Sequence, residues 1–229
     1  MRGLADQSGA EVGGFLSGLE TAERAALMER ARRRRFSRGD TLFHEGDASD
    51  WVAVLLSGRA KVSFFTEDGT EVVLAVREPG DLLGELSALD KAPRSATVTA
   101  IDDVDTLVLT ADAFQVYLES YPRLALELVR SLMARLRDAD VKRVEFGAYD
   151  TVGRLARRLV ELAERFGSPT EEGVTIELPI TQQELAGWTG SSRESVAKAL
   201  QTLRKLGWVD TARRRMVIRD LDALRRRAG

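Results

Sequence analysis

The sequence predicts an α+β protein in two parts: an antiparallel β-rich domain, then a long helix, then a smaller domain carrying a helix-turn-helix and a β-hairpin. Three observations predict it. Turn signals recur at short intervals between Gly39 and Asp81 and enclose short β-rich stretches. A helical pattern then runs unbroken from Arg123 to about Phe146. Finally, Thr181 to Val196 reads as two short helices around a glycine turn.

The elements follow in order. Residues 1–12 are polar and Gly-rich and are expected to be disordered. From Phe15 to about Ala31 the apolar residues Phe15, Leu16, Leu19 and Leu27 fall at helical spacing, with Ser17 or Thr21 available as an N-cap, which gives one or two short helices. After the basic run Arg32–Arg35, turns at Gly39-Asp40, Gly46-Asp47, Ser57-Gly58, Asp68-Gly69 and Pro79-Gly80-Asp81 punctuate strands near 51–56, 60–65, 71–76 and 96–101. Short strands joined by tight turns make an antiparallel sandwich or barrel. This first domain spans 13–122.

A helix resumes near Ala111 and, after Tyr121-Pro122, the long helix of 123–147 begins. Leu124, Leu128, Leu132, Leu136 and Ala139 lie along one side of it. Such a stripe packs either on its own domain or on a second copy of the helix, which would make the chain a homodimer. Phe146 to Asp150 is expected to break the helix and act as a hinge, with Asp150 capping the next helix, Val152 to Phe166. In the last domain, 148–229, a short strand (174–178) precedes the helices Gln182–Trp188 and Ser192–Leu206, and segments 207–209 and 216–218 bracket the basic turn Arg213–Arg215 as a β-hairpin wing.

Composition narrows the chemistry. The chain has 229 residues, 44% hydrophobic and 31% charged, as in ordinary globular proteins. No apolar run approaches the ~20 residues of a membrane span, and the N-terminus lacks a signal-peptide core, so a cytoplasmic location without membrane partners is expected. Without cysteine, disulfides, iron–sulfur clusters and the common zinc sites are excluded, and the single His44 cannot build a multi-histidine metal site. No metal cofactor is expected. The net charge of −2 hides an asymmetry: residues 148–229 carry 15 Lys and Arg against 11 Asp and Glu, leaving 19 against 25 before them. The C-terminal part is the half suited to a polyanion.

Within the helix-turn-helix, Ala186 permits close packing, Gly190 supplies the turn and Ser192 caps the second helix. Side chains at the start of that helix would point into a DNA major groove. Arg193 can donate to guanine O6 and N7, Glu194 can accept from cytosine N4, and Lys198 lies one turn further on the same face. Thr181, Gln183, Arg213, Arg214 and Arg215 are the expected phosphate contacts. Taken singly, Arg193 and Glu194 also read as ordinary surface charges of a first helical turn; the agreement of turn, cap and wing favours DNA binding.

The segment Gly84–Ala96 reads as a short helix, a turn and the start of a strand, with chemistry suited to a ribose cyclic phosphate. Arg94 supplies positive charge, Ser95 and a backbone amide near the glycine donate to phosphate oxygens, and Glu85 accepts from the ribose hydroxyl. A structural Glu85–Arg94 ion pair explains the same residues equally well.

On these motifs, Gly84-Glu85-Leu86 with Arg94-Ser95-Ala96, Tyr149–Arg154 and Ser192–Val196, the sequence resembles the cyclic AMP receptor protein (CRP/FNR) family from about Phe15 to Ile218. The resemblance implies an N-terminal antiparallel β-roll that binds a cyclic nucleotide, a long dimerisation helix, and a C-terminal winged helix-turn-helix that reads a two-fold symmetric operator. It also implies that Gly84, Glu85, Leu86, Arg94 and Ser95 hold the nucleotide, that Ser192, Arg193, Glu194 and Lys198 meet DNA, and that RNA polymerase is a further partner. The positions where nucleotide-responsive relatives present threonine and then serine or asparagine to adenine are Ala139 and Asp140 here. Alanine offers the base no hydrogen bond, and a carboxylate suits the paired donors of guanine at least as well as an adenine amino group. The reading of Asp140 as a solvated charge on the helix surface is the favoured one, because charged residues are seldom buried unpaired. Cyclic AMP is therefore the first expected effector and cyclic GMP the second. The rival is a constitutive DNA-binding regulator of the same fold. An enzyme such as a phosphodiesterase lacks a metal cluster or a nucleophile–base pair, and a signalling adaptor does not need the helix-turn-helix.

Overall fold

The computed structural model describes residues 14–48, 50–67, 69, 71–177, 180–212 and 215–229; the expected disordered segment 1–12 and the wing residues Arg213 and Arg214 lie outside these. The chain divides into two compact units, one comprising residues through Val62 with Ala75–Ala134, the other Ser63–Leu74 with Arg135–Gly229.

The first unit opens with helices α1 (Gly14–Ser17) and α2 (Thr21–Arg30). Neither Ser17 nor Thr21 caps α2. Glu20 does, in a reciprocal box in which the Glu23 carboxylate accepts from the Glu20 amide at 2.7 Å. Eight strands follow: β1 (Arg32–Phe36), β2 (Thr41–Phe43), β3 (Trp51–Ser57), β4 (Ala60–Phe65), β5 (Glu71–Arg77), β6 (Leu82–Leu83), and, after helix α3 (Glu85–Asp90), β7 (Thr97–Ala100) and β8 (Val104–Thr110). They form two sheets, β1-β8-β3-β6 and β2-β7-β4-β5, whose intersheet space is the inside of a roll. Helix α4 (Ala111–Ser120) and α5 (Pro122–Ala148) as far as Ala134 complete this unit, whereas Ser63–Leu74 of β4, β5 and their connection is counted with the second.

Strand β3 explains how the core is layered. Val52 and Val54 point to a cluster formed with Leu27, Leu107, Leu109, Phe114, Tyr117, Leu124 and Leu128, while Ala53 and Leu55 point into the roll against Phe36, Phe43, Leu83 and Val98. A strand buried on both faces needs apolar residues throughout, which accounts for the unbroken run Trp51–Leu56. The helical cover also settles the stripe on α5. Leu124 and Leu128 are buried in their own roll and Leu132 packs against the same cluster. The face left open is a neighbouring one, with Leu126, Val129, Met133, Leu136 and Val144 between 49% and 69% exposed. The sequence stripe merged two faces, because helical spacing alone does not tell them apart.

Strand β1 was hidden by its composition. Four consecutive arginines give no hydrophobic alternation, yet Arg32–Phe36 pairs in register with Val104–Val108. Arg33 donates to Asp105 through Nε at 2.7 and 2.8 Å, and Arg34 lies 4.7 Å from the centre of the Phe36 ring. The hydrogen bond from Arg33 holds the Asp105 carboxyl below its ordinary range. A depressed carboxyl stabilises the fold above its unfolded pKa of about 4, and that contribution fades as pH falls through the folded value. Asp105→Asn is therefore expected to destabilise the chain near neutral pH and to lose that penalty on acidification. Urea midpoints for both chains at about pH 7 and about pH 3 test this; a gap that does not narrow at low pH would refute it.

In the second unit α5 continues through Gly147 and ends at Ala148, so the expected break at Phe146 reduces to two non-helical residues, Tyr149 and Asp150. Gly147 stays helical because one glycine costs a helix only about 1 kcal/mol. Next come α6 (Thr151–Phe166), β9 (Gly167–Thr170), β10 (Gly173–Ile176), α7 (Gln182–Thr189), α8 (Arg193–Lys205), β11 (Val209–Ala212), β12 (Arg215–Ile218) and α9 (Leu221–Ala228). The sheet order is β11-β12-β10-β9, so β10 joins the wing hairpin. Asp150 caps α6 by accepting from the Gly153 amide at 2.8 Å. Leu155, Leu159, Val196, Leu203 and Leu224 are wholly buried where α6, α8 and α9 meet. Leu178 and Pro179, at the expected end of the short strand, fall outside the described residues.

Candidate functional site

In the roll, β6 runs into α3 through Gly84, whose backbone is left-handed at φ 78°. A β-carbon there would collide with the Arg94 guanidinium and stand 3.0 Å from the Phe43 ring, so glycine serves both the turn and the close approach. Arg94 lies beneath α3 and is 3% exposed. It donates to the Gly84 carbonyl at 3.0 Å, to the Trp51 carbonyl and, at 3.5 Å, to the Ser87 hydroxyl, and its guanidinium sits 3.9 Å from the Phe43 ring centre. Burial lowers the Arg94 pKa, and the carboxylates of Asp50, Glu85 and Asp47 work against that. Glu85, the first residue of α3, is 3% exposed. Backbone bonds from Arg94 N to Asp47 O and from Gly46 N to Arg94 O tie this strand entry to the β2–β3 connection.

Gly84, Glu85 and Arg94 are thus brought together at one end of the roll. Ser95, next to Arg94, is exposed, and Leu86 is 47% exposed beside Glu85. Ala139 and Asp140 belong to the second unit, on the exposed surface of α5, where Asp140 faces Arg143 at 3.9 Å. The sequence did not reveal Phe43 and Trp51, which hold Arg94; in strands they read only as core aromatics.

The helix-turn-helix is braced from behind. Thr181 and Glu184 form a capping box at the start of α7, Gly190 ends that helix at φ 55°, and the Ser192 hydroxyl accepts from the Ser195 amide at 3.1 Å to begin α8. Arg154 of α6 donates to the Thr189 carbonyl at 2.7 Å and to the Ser191 hydroxyl at 3.0 Å, locking the turn between the two helices. With Val196, Ala199, Leu200 and Leu203 buried, α8 turns its other face outward. Arg193, Glu194 and Lys198 are exposed there, and their side chains enter no ion pair among the described residues. Thr181 and Gln183 are exposed at the start of α7, and Arg215 on the wing lies 3.5 Å from Glu172. No group of His, Asp and Glu among the described residues could hold a metal ion.

Residues 33–121 match the cyclic nucleotide-binding domain family, and residues 153–227 match the Crp-like helix-turn-helix domain family. The chain is 34% identical to a CRP-like cAMP-activated global transcriptional regulator of Mycobacterium tuberculosis, over 94% of this chain and 96% of that one. It belongs to the CRP/FNR family of transcription regulators. A cyclic AMP receptor protein of Thermus thermophilus is 30% identical over 84% of this chain and 86% of its own length. Among solved structures, a CRP-family transcriptional regulator, also of Thermus thermophilus, superposes with a TM-score of 0.74 at 28% identity, covering 86% of this chain and 96% of that one. The c-di-GMP responsive regulator of Xanthomonas campestris superposes at 0.79 with 21% identity, over 88% of this chain and all of that one, which speaks to the fold alone.

As a CRP/FNR protein the chain combines a cyclic nucleotide-binding domain with a DNA-binding helix-turn-helix. Its family consists of homodimeric transcription regulators. No helix among the described residues is long and apolar enough to cross a membrane.

Proposed function

We propose that this CRP/FNR regulator binds a cyclic nucleotide at the Gly84–Ser95 segment, cyclic AMP ahead of cyclic GMP, and that occupancy sets its affinity for a two-fold symmetric operator. The carrying observation is Arg94: a guanidinium 3% exposed beside Glu85, behind a glycine that no other residue could replace without striking it. The donor set fits the effector. A cyclic phosphate supplies the negative charge that a desolvated guanidinium favours, and a ribose hydroxyl supplies a donor for Glu85. The names of the two relatives at 34% and 30% identity support cyclic AMP.

DNA is read by Arg193, Glu194 and Lys198 and held by Thr181, Gln183 and the wing arginines. The exposure of Arg193, Glu194 and Lys198 on α8 in front of the Arg154 brace, and of Thr181, Gln183 and Arg215, supports this assignment; Arg213 and Arg214 lie outside the described residues. The open face of α5, Leu126 to Val144, is the dimer contact, since an apolar row of this length is seldom left to solvent.

One observation favours the constitutive reading. Arg94 already has three protein acceptors, so its role is accounted for without a ligand. Calorimetric titration with cyclic AMP and cyclic GMP separates the two. Micromolar or tighter binding, with operator affinity raised in its presence, is expected for cyclic AMP. An Asp140→Ala chain is expected to keep cyclic AMP and to lose whatever affinity it has for cyclic GMP, because only guanine presents paired donors to a carboxylate. Equal operator affinity with and without either nucleotide would establish the constitutive regulator instead.

A further inference from the structure

Trp188, near the end of α7, is 8% exposed, and its indole Nε1 is buried without an acceptor among the described residues. An indole N–H only donates, so in a buried place it calls for an acceptor from outside the chain. Trp188 lines a cavity of about 10 Å³, room for one water-sized body, together with Lys142 and Glu145 of α5 and Arg154 and Arg158 of α6. All five residues belong to the second unit.

The wall of this cavity is built from donors. Arg154 donates to the carbonyls of Thr189 and Tyr149 at 2.7 and 2.5 Å and to the Ser191 hydroxyl at 3.0 Å, and Lys142 pairs with Asp138 at 2.8 Å. Glu145 carries the one acceptor side chain of the five, and both its oxygens are engaged: one by Arg157 Nε at 2.7 Å, the other by Arg158, which also reaches Glu161. Glu145 and Arg158 are each 4% exposed, so packing as well as charge fixes them. Three cationic side chains and an indole N–H thus surround one carboxylate whose oxygens are already engaged.

Such a wall discriminates between a water and an anion. A water has to donate as well as accept, and free acceptors are what the lining side chains lack. A monoatomic anion only accepts, and an excess of three positive charges over one negative attracts it. Oxyanions such as sulfate have the charge but are too large for a cavity of this volume. We infer that the Trp188 cavity is a chloride site, in which the indole N–H, Lys142, Arg154 and Arg158 hold a single halide between α5, α6 and α7. An ion held by all three helices stabilises the arrangement that brings them together, so the stability of the DNA-binding domain depends on chloride itself and not on ionic strength alone.

Urea midpoints of the full chain, measured as sodium chloride replaces sodium gluconate at constant ionic strength, test the assignment without nucleotide or operator. The midpoint is expected to rise and level off, as for a site that fills. Trp188→Phe keeps an aromatic ring in the core but removes the donor. It is expected to need at least about tenfold more chloride for the same rise, the worth of one hydrogen bond to a charged acceptor. A midpoint indifferent to chloride, a linear drift of the kind general salt effects give, or a Trp188→Phe chain that follows the parent would overturn the site. Should Trp188→Phe fold poorly, crystals of the unaltered chain grown in sodium bromide decide. Anomalous scattering from a bromide within hydrogen-bond reach of Trp188 Nε1 is expected; a water there, or bromide only elsewhere, would refute the assignment.

Discussion

Arg94→Ala is expected to weaken cyclic AMP binding by at least about a hundredfold, on the order of 3 kcal/mol, because it removes the buried positive charge proposed to meet the phosphate. The side chain also satisfies the carbonyls of Gly84 and Trp51, so the roll itself should lose about 1–3 kcal/mol. The two effects separate by measurement: calorimetry reports the ligand, and urea denaturation reports the fold. Arg94→Lys keeps a charge but not the planar fork, and should recover part of the stability and little of the affinity. Operator binding without nucleotide should be unchanged, since Arg94 lies in the first unit and the proposed DNA contacts in the second. An Arg94→Ala chain that takes up cyclic AMP as the parent does would remove this residue from the site.

Arg193→Ala should act on the opposite variable. A bidentate contact to guanine is worth about 1–3 kcal/mol against the wrong base. A symmetric operator presents the contact twice, so the loss per dimer is about 2–6 kcal/mol if the halves are independent. Base preference should relax at one position of each half-site and persist elsewhere, with nucleotide affinity unaltered. Binding to an operator library shows both features. Arg215→Ala offers the contrast: removing a charge proposed to neutralise a phosphate should lower affinity for all sequences alike and reduce the salt dependence by about one counterion. If Arg193→Ala instead weakened all sequences equally, Arg193 would be a phosphate contact too.

Much of this architecture was legible in the sequence because the signals were local. Gly190 as the turn and Ser192 as the cap each act within a few residues, and each appears in the structure where local chemistry places it. The Gly84–Arg94 segment was legible for the same reason. What stayed hidden depends on distant partners. Strand β1 is invisible as a strand until Asp105 and the rest of Val104–Val108 are beside it, and β8 becomes the centre of a sheet only through pairing with both β1 and β3. Glu145 and Arg158 are two charges among many along a polar helix; that they bury one another follows from how α6 turns back, which no spacing encodes. The same ambiguity lay in α5, whose leucines serve two faces at once.

The arginines of β1 bear on how copies of this chain meet. Among the described residues β1 pairs only with β8, so its outer edge presents backbone groups open to a further strand, the kind of template on which sheets of separate molecules join. Arg32, Arg33, Arg34 and Arg35 are exposed along that edge, and a second β1 laid against it would set like charge beside like charge. Strand-to-strand polymerisation is thereby discouraged at an edge where the sheet invites it, which suits the proposal that copies meet instead through the apolar face of α5.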